Sequence, residues 1–223
     1  MVGYGEYRSG RARAWVATIG VLAMALLLWM VAIFQMIEHF LVPDWETSEE
    51  LGATVFALAY GWSGLTLFIA LGVGVLGYLF WIYRAAQNAR ALGRESLMTT
   101  PGTAVFCWLI PILNLFRPYQ VVRALYQGAD SGDDLRGDWV LRRSWLFPIW
   151  WGAWMLSNVL SQISTRMADS NDASTRVSAL WLDFVTAPVL VIAGLSAVAI
   201  VWSIEARHAQ LARLSAVQHR AAA

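Results

Sequence analysis

The chain contains few charged residues and no lysine. Only 14% of its 223 residues are charged, and all 16 basic residues are arginine. Soluble domains are about a quarter charged, so this composition argues against a large soluble core. The formal net charge of +1 excludes nucleic-acid binding by bulk electrostatic attraction. We attribute the missing lysine to codon bias rather than to selection for arginine geometry.

Cysteine and histidine are also scarce. The single Cys107 cannot form an intramolecular disulfide. The chain has three His, none paired at helical spacing, which argues against a structural metal or a bis-His haem. No nucleophile–base pair and no phosphate loop is recognisable. We therefore expect no enzyme activity, no catalytic or metal residues and no cofactor.

Apolar residues are abundant, at 58% of the chain with 13 Trp. A helix needs about 20 apolar residues to cross a hydrocarbon layer roughly 30 Å thick. Four runs reach that length, at about residues 15–37, 57–83, 145–163 and 184–204. The first run is longer than a signal-peptide core and lacks a cleavage site, which indicates a retained anchor. The fold class predicted is all-α, a polytopic membrane helix bundle in one domain over residues 1–223.

The last predicted span contains Pro188. Proline is tolerated in the first turn of a helix, and inside a membrane helix it produces a kink. The helix is therefore expected either to begin near Thr186 or to continue through Pro188 with a kink.

A fifth apolar stretch, "CWLIPILNLFRPYQ" from Cys107 to Gln120, is broken by Pro111, Asn114 and Pro118. If this stretch crossed the membrane, the arginines would divide eight and eight between the two sides. If it does not cross, 14 lie on one side and two, Arg166 and Arg176, on the other. The positive-inside rule favours the second arrangement. It predicts four spans with both termini cytoplasmic, and a re-entrant or interfacial segment over 101–127.

The residues after Pro118 predict a short amphipathic helix. In "YQVVRALYQ", Val121, Val122 and Leu125 share one side, while Arg123 and Gln127 lie elsewhere. Such a helix is typical of a segment lying in the membrane interface.

Two stretches, "FWIYRAAQNARALG" and "TPGTAVFCWLIPILNLFRPYQVVRALYQ", share a pattern with a known family. They join a W-x-Y-R-A-x-x-N helix end to a Pro-rich I-P-x-x-N-L-x-x-P-Y segment. This combination resembles the bacterial membrane family called domain of unknown function 4328. The resemblance implies a multi-pass protein of the bacterial cytoplasmic membrane. It supplies no activity and no catalytic residues.

Polar residues gather at the predicted cytoplasmic side of the second span and of the broken segment. They are Arg84, Asn88, Arg90, Asn114, Arg117 and Arg123. The arginines are expected either to anchor the protein by positive charge or to dock anionic headgroups or an acidic partner. We expect Asn88 and Asn114 to satisfy backbone groups freed by the broken segment.

The third span carries a polar stripe at i, i+3, i+4 and i+7 spacing, made of Asn158, Ser161, Gln162 and Thr165. Such side chains usually face the bundle interior, where they hydrogen-bond across helices, but they also suit a hydrophilic path. Both interpretations are open from the sequence.

Other polar or glycine-rich features have plain interpretations. "GVGVLG", residues 72–77, matches the dinucleotide-binding pattern but lies inside an apolar helix, so Gly74 is expected to serve close helix packing.

Glu38, His39 and Asp183 fall at the predicted outer interface. They suit contact with headgroups and water, or else a proton-linked or metal site.

Three functions fit these observations. The first is a non-catalytic accessory or interaction module, with the bilayer and a membrane protein or a second copy of the chain as partners. The second is transport of a small solute, ion or lipid through a site formed by the broken segment. The third and weakest is an enzyme acting on a lipid-linked substrate, for which Glu95, Glu205, His208 and His219 are available without a recognisable pattern.

Overall fold

The computed structural model describes residues 7–41, 51–92, 100–128 and 145–221, and the described chain is helical. Helices α1 (Arg11–Leu41) and α2 (Leu51–Ala91) come first. Three short helices follow, α3 (Pro101–Leu109), α4 (Pro111–Asn114) and α5 (Arg117–Gly128). Two long helices end the chain, α6 (Leu146–Ala168) and α7 (Ala173–Ala221).

Helix α1 lies between α2 and α7 and is antiparallel to both. Gly20 on α1 meets Gly74 on α2 so closely that a Cβ on Gly74 would lie 3.0 Å from the Gly20 carbonyl carbon. On the other side, the rings of Trp15 and Trp202 lie 4.9 Å apart. The expected packing role of Gly74 is confirmed, since small residues let two backbones approach.

Helices α6 and α7 form an antiparallel hairpin. Asp172, just before α7, accepts a 2.8 Å hydrogen bond from the Thr175 backbone N–H, which caps the start of α7. The Ser164 hydroxyl on α6 donates to the Ala179 carbonyl on α7 at 3.2 Å. Helix α7 begins at Ala173, so of the two expectations the start near Thr186 is wrong, and the helix continues through Pro188.

The broken segment folds as the sequence predicts, with an interruption at Pro111. Thr100 caps the start of helix α3, where its Oγ1 accepts a 3.1 Å hydrogen bond from the Thr103 N–H. Pro101 occupies the first turn of the helix. It ends because Ile110 is extended, as residues before proline prefer, and Pro111 cannot donate a hydrogen bond.

After the interruption the chain reverses. Trp108, near the end of α3, contacts Tyr78 on α2 with ring centroids 5.1 Å apart. Tyr126, near the end of α5, reaches Arg207 on α7. The segment therefore closes the gap between α2 and the α6–α7 hairpin at one end of the bundle. Helix α5 is amphipathic as predicted, with Val121, Val122 and Leu125 buried.

The core of the bundle lies at this closed end. Trp81, Ile82, Ala85, Val122 and Ile204 are fully or almost fully buried there. Towards the opposite end of α2, two of the large side chains that the structure describes are exposed, Trp62 at 66% and Phe68 at 73%. Apolar side chains on the outside are expected of helices surrounded by lipid.

Three helical stretches among the described residues are long and apolar enough to cross a membrane: Arg11–Ile37, Gly64–Ala91 and Ala173–Gln218. They indicate a membrane protein and coincide with three of the four predicted spans. The remaining predicted span, the third in chain order, forms helix α6, whose polar stripe lowers its hydropathy. The four-span topology and the re-entrant placement of 101–127 stay predictions.

Candidate functional site

The predicted arginine and asparagine cluster divides into separate places. Arg84 and Asn88 on α2 both contact the segment before α1. The Arg84 Nε–H donates to the Arg8 carbonyl at 3.3 Å, and Asn88 Oδ1 accepts from the Arg8 N–H at 3.4 Å. Asn88 thus bonds the chain's N-terminal segment rather than the broken one. Arg84 also donates to Gln87 at 2.9 Å.

The remaining members of that cluster lie apart from Asn88. The three arginines Arg90, Arg117 and Arg123 are exposed. Asn114 is at the reversal of the broken segment, where it lines a cavity with Tyr78 and Gly74. The structure therefore brings Arg84 and Asn88 together but does not bring Asn114 to them.

A buried carboxylate lies beside this cluster. Glu205 on α7 is 3% exposed, and its Oε1 accepts a 3.0 Å hydrogen bond from the indole N–H of Trp81 on α2. Gly10 lies against the same carboxylate. A Cβ at Gly10 would overlap the Glu205 carboxylate, so a larger residue at this position would displace that side chain.

Arg207 and His208 follow on the same helix and are also enclosed. The Arg207 Nη2–H donates to the Tyr126 hydroxyl at 2.6 Å, and its Cζ lies 3.8 Å from the centroid of that ring. His208 is 0% exposed, and neither of its ring nitrogens has a hydrogen-bond partner among the described residues. Glu205 ties α7 to α2, and Arg207 ties it to α5. Glu205, Arg207 and His208 are all shut off from solvent.

The burial of Glu205 and His208 escaped the sequence analysis, although a signal was present. The buried face of α7 runs through Ile200 and Ile204 and continues to Leu211. Glu205 occupies the i+4 position from the buried Val201 and His208 the i+4 position from Ile204, so both lie on that apolar face.

An aromatic cavity of about 250 Å³ lies next to this core. Its walls include Tyr78 on α2, Trp108 on α3, and Trp150 and Trp154 on α6. The ring centroid of Trp108 lies 6.4 Å from that of Trp150 and 6.2 Å from that of Trp154. Two polar atoms of the lining residues, Trp108 Nε1 and Asn114 Oδ1, are buried with no hydrogen-bond partner in the described part of the chain.

A second cavity, of about 450 Å³, lies between α1, α6 and α7. Three members of the predicted polar stripe line it, namely Asn158, Ser161 and Thr165, whereas Gln162 is exposed elsewhere. Asp183 and Thr186 of α7 face the same cavity. The stripe therefore borders an open polar volume.

The stripe's hydrogen bonds run within its own helix. Asn158 donates to the Trp154 carbonyl at 2.7 Å, and Thr165 donates to the Ser161 carbonyl at 2.9 Å. These bonds do not tie α6 to a neighbouring helix.

The two cavities adjoin each other. Met24, Trp154 and Leu190 line both of them. The result is one apolar, aromatic compartment and one polar compartment side by side within the bundle, and this arrangement suits a molecule with an apolar part and a polar part.

Of the three polar residues predicted at the outer interface, the structure describes the side chains of His39 and Asp183. No group of three or more His, Cys, Asp or Glu that could hold a metal occurs among the residues described. His39 packs its ring on Phe40 with centroids 5.0 Å apart, while Asp183 lines the polar cavity. The Glu38 side chain lies outside the described residues.

Comparison with known proteins identifies the family. No curated protein and no solved structure matches the chain. The sequence profile of the family described as Domain of unknown function (DUF4328) matches residues 46–220, which is most of the chain and includes both the broken segment and the cavity-lining parts of α6 and α7. The chain therefore belongs to the family described as Domain of unknown function (DUF4328).

Proposed function

We propose that this protein is a non-catalytic module of the bacterial cytoplasmic membrane that binds an amphiphilic small molecule or lipid inside its bundle. The observation that carries this proposal is the pair of adjoining cavities, one aromatic and one polar, with Met24, Trp154 and Leu190 in common. Ligand sites are typically concave and mostly apolar, with a few polar groups that fix orientation.

A non-catalytic role agrees with the state of the reactive side chains. Glu205 and His208 are the buried groups best suited to acid–base chemistry, but they are 3% and 0% exposed. A catalytic acid or base has to come within hydrogen-bond reach of its substrate. Their enclosure weighs against an enzyme acting on lipid-linked substrates at this end of the bundle.

The proposed topology has one domain with four spans and both termini in the cytoplasm. The arginine distribution supports it, and so does the placement of the polar stripe of α6 against an interior cavity. The reversal after α3 supports a shallow re-entrant placement of 101–127. Asn114 shares a cavity with Val21 of α1, whereas Tyr126 lies beside Arg207 near the cytoplasmic end.

The exposed arginines at that end are proposed to contact anionic headgroups. Arg90, Arg117 and Arg123 are exposed on α2 and α5. Each basic residue near an anionic surface contributes about 1 kcal/mol of attraction. A membrane-protein partner or a second copy of the chain is the other proposed contact of this module.

Purification from native membranes in mild detergent tests the proposal. Mass spectrometry of the purified protein is expected to reveal an amphiphilic molecule at close to one per chain. Recovery of a stoichiometric membrane protein without any such molecule would favour a purely protein-binding module. Recovery of the chain alone, at every expression level, would contradict both.

Transport is a second candidate function, and the common wall of the cavities favours it. A molecule moving between the two compartments would pass Met24, Trp154 and Leu190. Reconstitution in liposomes with Asn114→Ala and Asn158→Leu variants tests this candidate. Reduced flux in both variants would support transport, whereas unchanged flux, or no flux for any form, would exclude it.

A further inference from the structure

We propose that the aromatic cavity takes a neutral apolar molecule that ends in a hydroxyl group, such as a medium-chain or isoprenoid alcohol. The hydroxyl binds between Trp108 and Asn114. This inference rests on the proposed function, because it names the chemistry of the molecule that the bundle binds.

The size and lining of the cavity indicate the chemistry of the apolar part of the bound molecule. A cavity of 150 Å³ is known to take benzene, so the volume of about 250 Å³ suits roughly ten non-hydrogen atoms. Apart from Asn114, Tyr78 and the indoles, the walls are aliphatic, with Val21, Ala193 and Ala197 among them. Aromatic and aliphatic walls favour a hydrocarbon chain or a branched isoprenoid over a charged solute.

The polar group of the bound molecule is inferred from two buried atoms of the protein. Indole Nε1–H of Trp108 is a donor only, whereas Oδ1 of Asn114 is an acceptor. Each lacks a partner among the described residues, and a buried polar group without a partner is costly. A carboxylate only accepts and an ammonium group only donates, so each would leave one atom unsatisfied. A hydroxyl accepts and donates through one oxygen, which fits both atoms.

The two residues that carry these atoms lie before and after the interruption at Pro111 in the sequence. Trp108 lies before it on α3, where its ring is held by Tyr78, with centroids 5.1 Å apart. Asn114 ends α4, where its backbone N–H donates to the Ile110 carbonyl at 2.8 Å. The proline break therefore places Trp108 and Asn114 on the wall of one cavity.

Photolabelling of the purified full-length protein tests the inference. The probes are an octanol carrying a diazirine and the matching octane diazirine that lacks the hydroxyl. We expect the octanol probe to label residues of the aromatic cavity, located by peptide mass spectrometry. Unlabelled octanol is expected to compete for the site at a concentration roughly tenfold lower than unlabelled octane, as for one or two neutral hydrogen bonds.

Variants separate the hydroxyl contact from cavity filling. Trp108→Phe and Asn114→Leu each remove one polar atom, and each is expected to reduce the hydroxyl preference roughly five- to tenfold. Gln162→Leu, at an exposed site of α6 outside both cavities, is the matched control and is expected to keep that preference. Ala197→Leu fills the aromatic cavity and is expected to abolish labelling there, whereas Ala199→Leu, at an exposed site of the same helix, is expected to leave it intact.

The comparison of the two probes is made on the wild-type protein, so it tests the inference even where a variant folds poorly. Equal labelling by both probes would overturn the hydroxyl assignment, as expected if a water molecule alone satisfied Trp108 and Asn114, and would leave the proposed function standing. Absence of cavity labelling by either probe would overturn the alcohol site. Co-purification of a native amphiphile remains the separate test of the proposed function.

Discussion

The indole N–H of Trp81 donates a 3.0 Å hydrogen bond to the carboxylate of Glu205, joining α2 and α7 across 124 residues of sequence. Gly10 closes the same site from the segment before α1. Three separate parts of the chain therefore meet at one buried carboxylate. This contact organises the closed end of the bundle, and its removal gives the first prediction.

Trp81→Phe keeps an aromatic ring but removes the donor to Glu205. The carboxylate oxygen then stays buried without that hydrogen bond, and such a loss costs about 1–3 kcal/mol. For a chain of this length, each kcal/mol corresponds to roughly 2–4 °C in Tm. We expect a lower Tm in detergent, measured by thermal unfolding. Trp62→Phe, at a site 66% exposed, is the control, and an equal shift in both variants would contradict the role of Trp81.

Alanine at Gly74 and at Gly72 should have opposite effects. A Cβ at Gly74 would lie 3.0 Å and 3.1 Å from the carbonyl carbon and oxygen of Gly20, so α1 and α2 have to separate. A Cβ at Gly72 meets nothing within 4 Å. There, alanine has the better helix propensity, by up to about 1 kcal/mol. Thermal unfolding should give a lower Tm for Gly74→Ala and an unchanged or higher Tm for Gly72→Ala. A loss at both positions, or at neither, would refute the close contact.

Two substitutions at Tyr126 should destabilise the protein to different extents. Tyr126→Phe removes the 2.6 Å hydrogen bond with Arg207 and leaves the ring under the guanidinium. Tyr126→Leu removes the cation–π contact as well, so it should destabilise more, by about a further 0.5–2 kcal/mol. The control is Tyr83→Phe at an exposed site of α2. Equal stability of all three variants would mean that α5 is not held to α7 through this pair.

Reporter fusions test the topology. A reporter fused near Asp133, which lies outside the described residues, should read cytoplasmic, and one fused at Asn171, between α6 and α7, should read periplasmic. An external reading at Asp133 would mean that 101–127 crosses the membrane. A cytoplasmic reading at Asn171 would mean that α6 does not.

Local features of the sequence were sufficient for most of the helices. The break at Pro111, the amphipathic face of α5 and the packing of Gly74 each follow from a few neighbouring residues. The length of α7 was not predicted, because Pro188 is locally unfavourable in a helix and tertiary packing overrides it.

The candidate site was less predictable, since it depends on contacts between distant segments. The stripe on α6 was found from its spacing, but the cavity it borders requires α1 and α7. Asn88 and Asn114 were expected together, yet Asn88 bonds Arg8 and Asn114 lines the aromatic cavity. Nothing local to Glu205 indicates that Trp81 and Gly10 will cover it.

The central claim is that the adjoining cavities hold an amphiphilic molecule. The most direct measurement is native mass spectrometry of the protein released from its own membranes, comparing the wild type with Ala197→Leu and Ala199→Leu. We predict about one bound small molecule per chain in the wild type and in Ala199→Leu, and at least a fivefold loss in Ala197→Leu, where the cavity is filled. Equal occupancy in all three, or no bound molecule in the wild type, would contradict the claim.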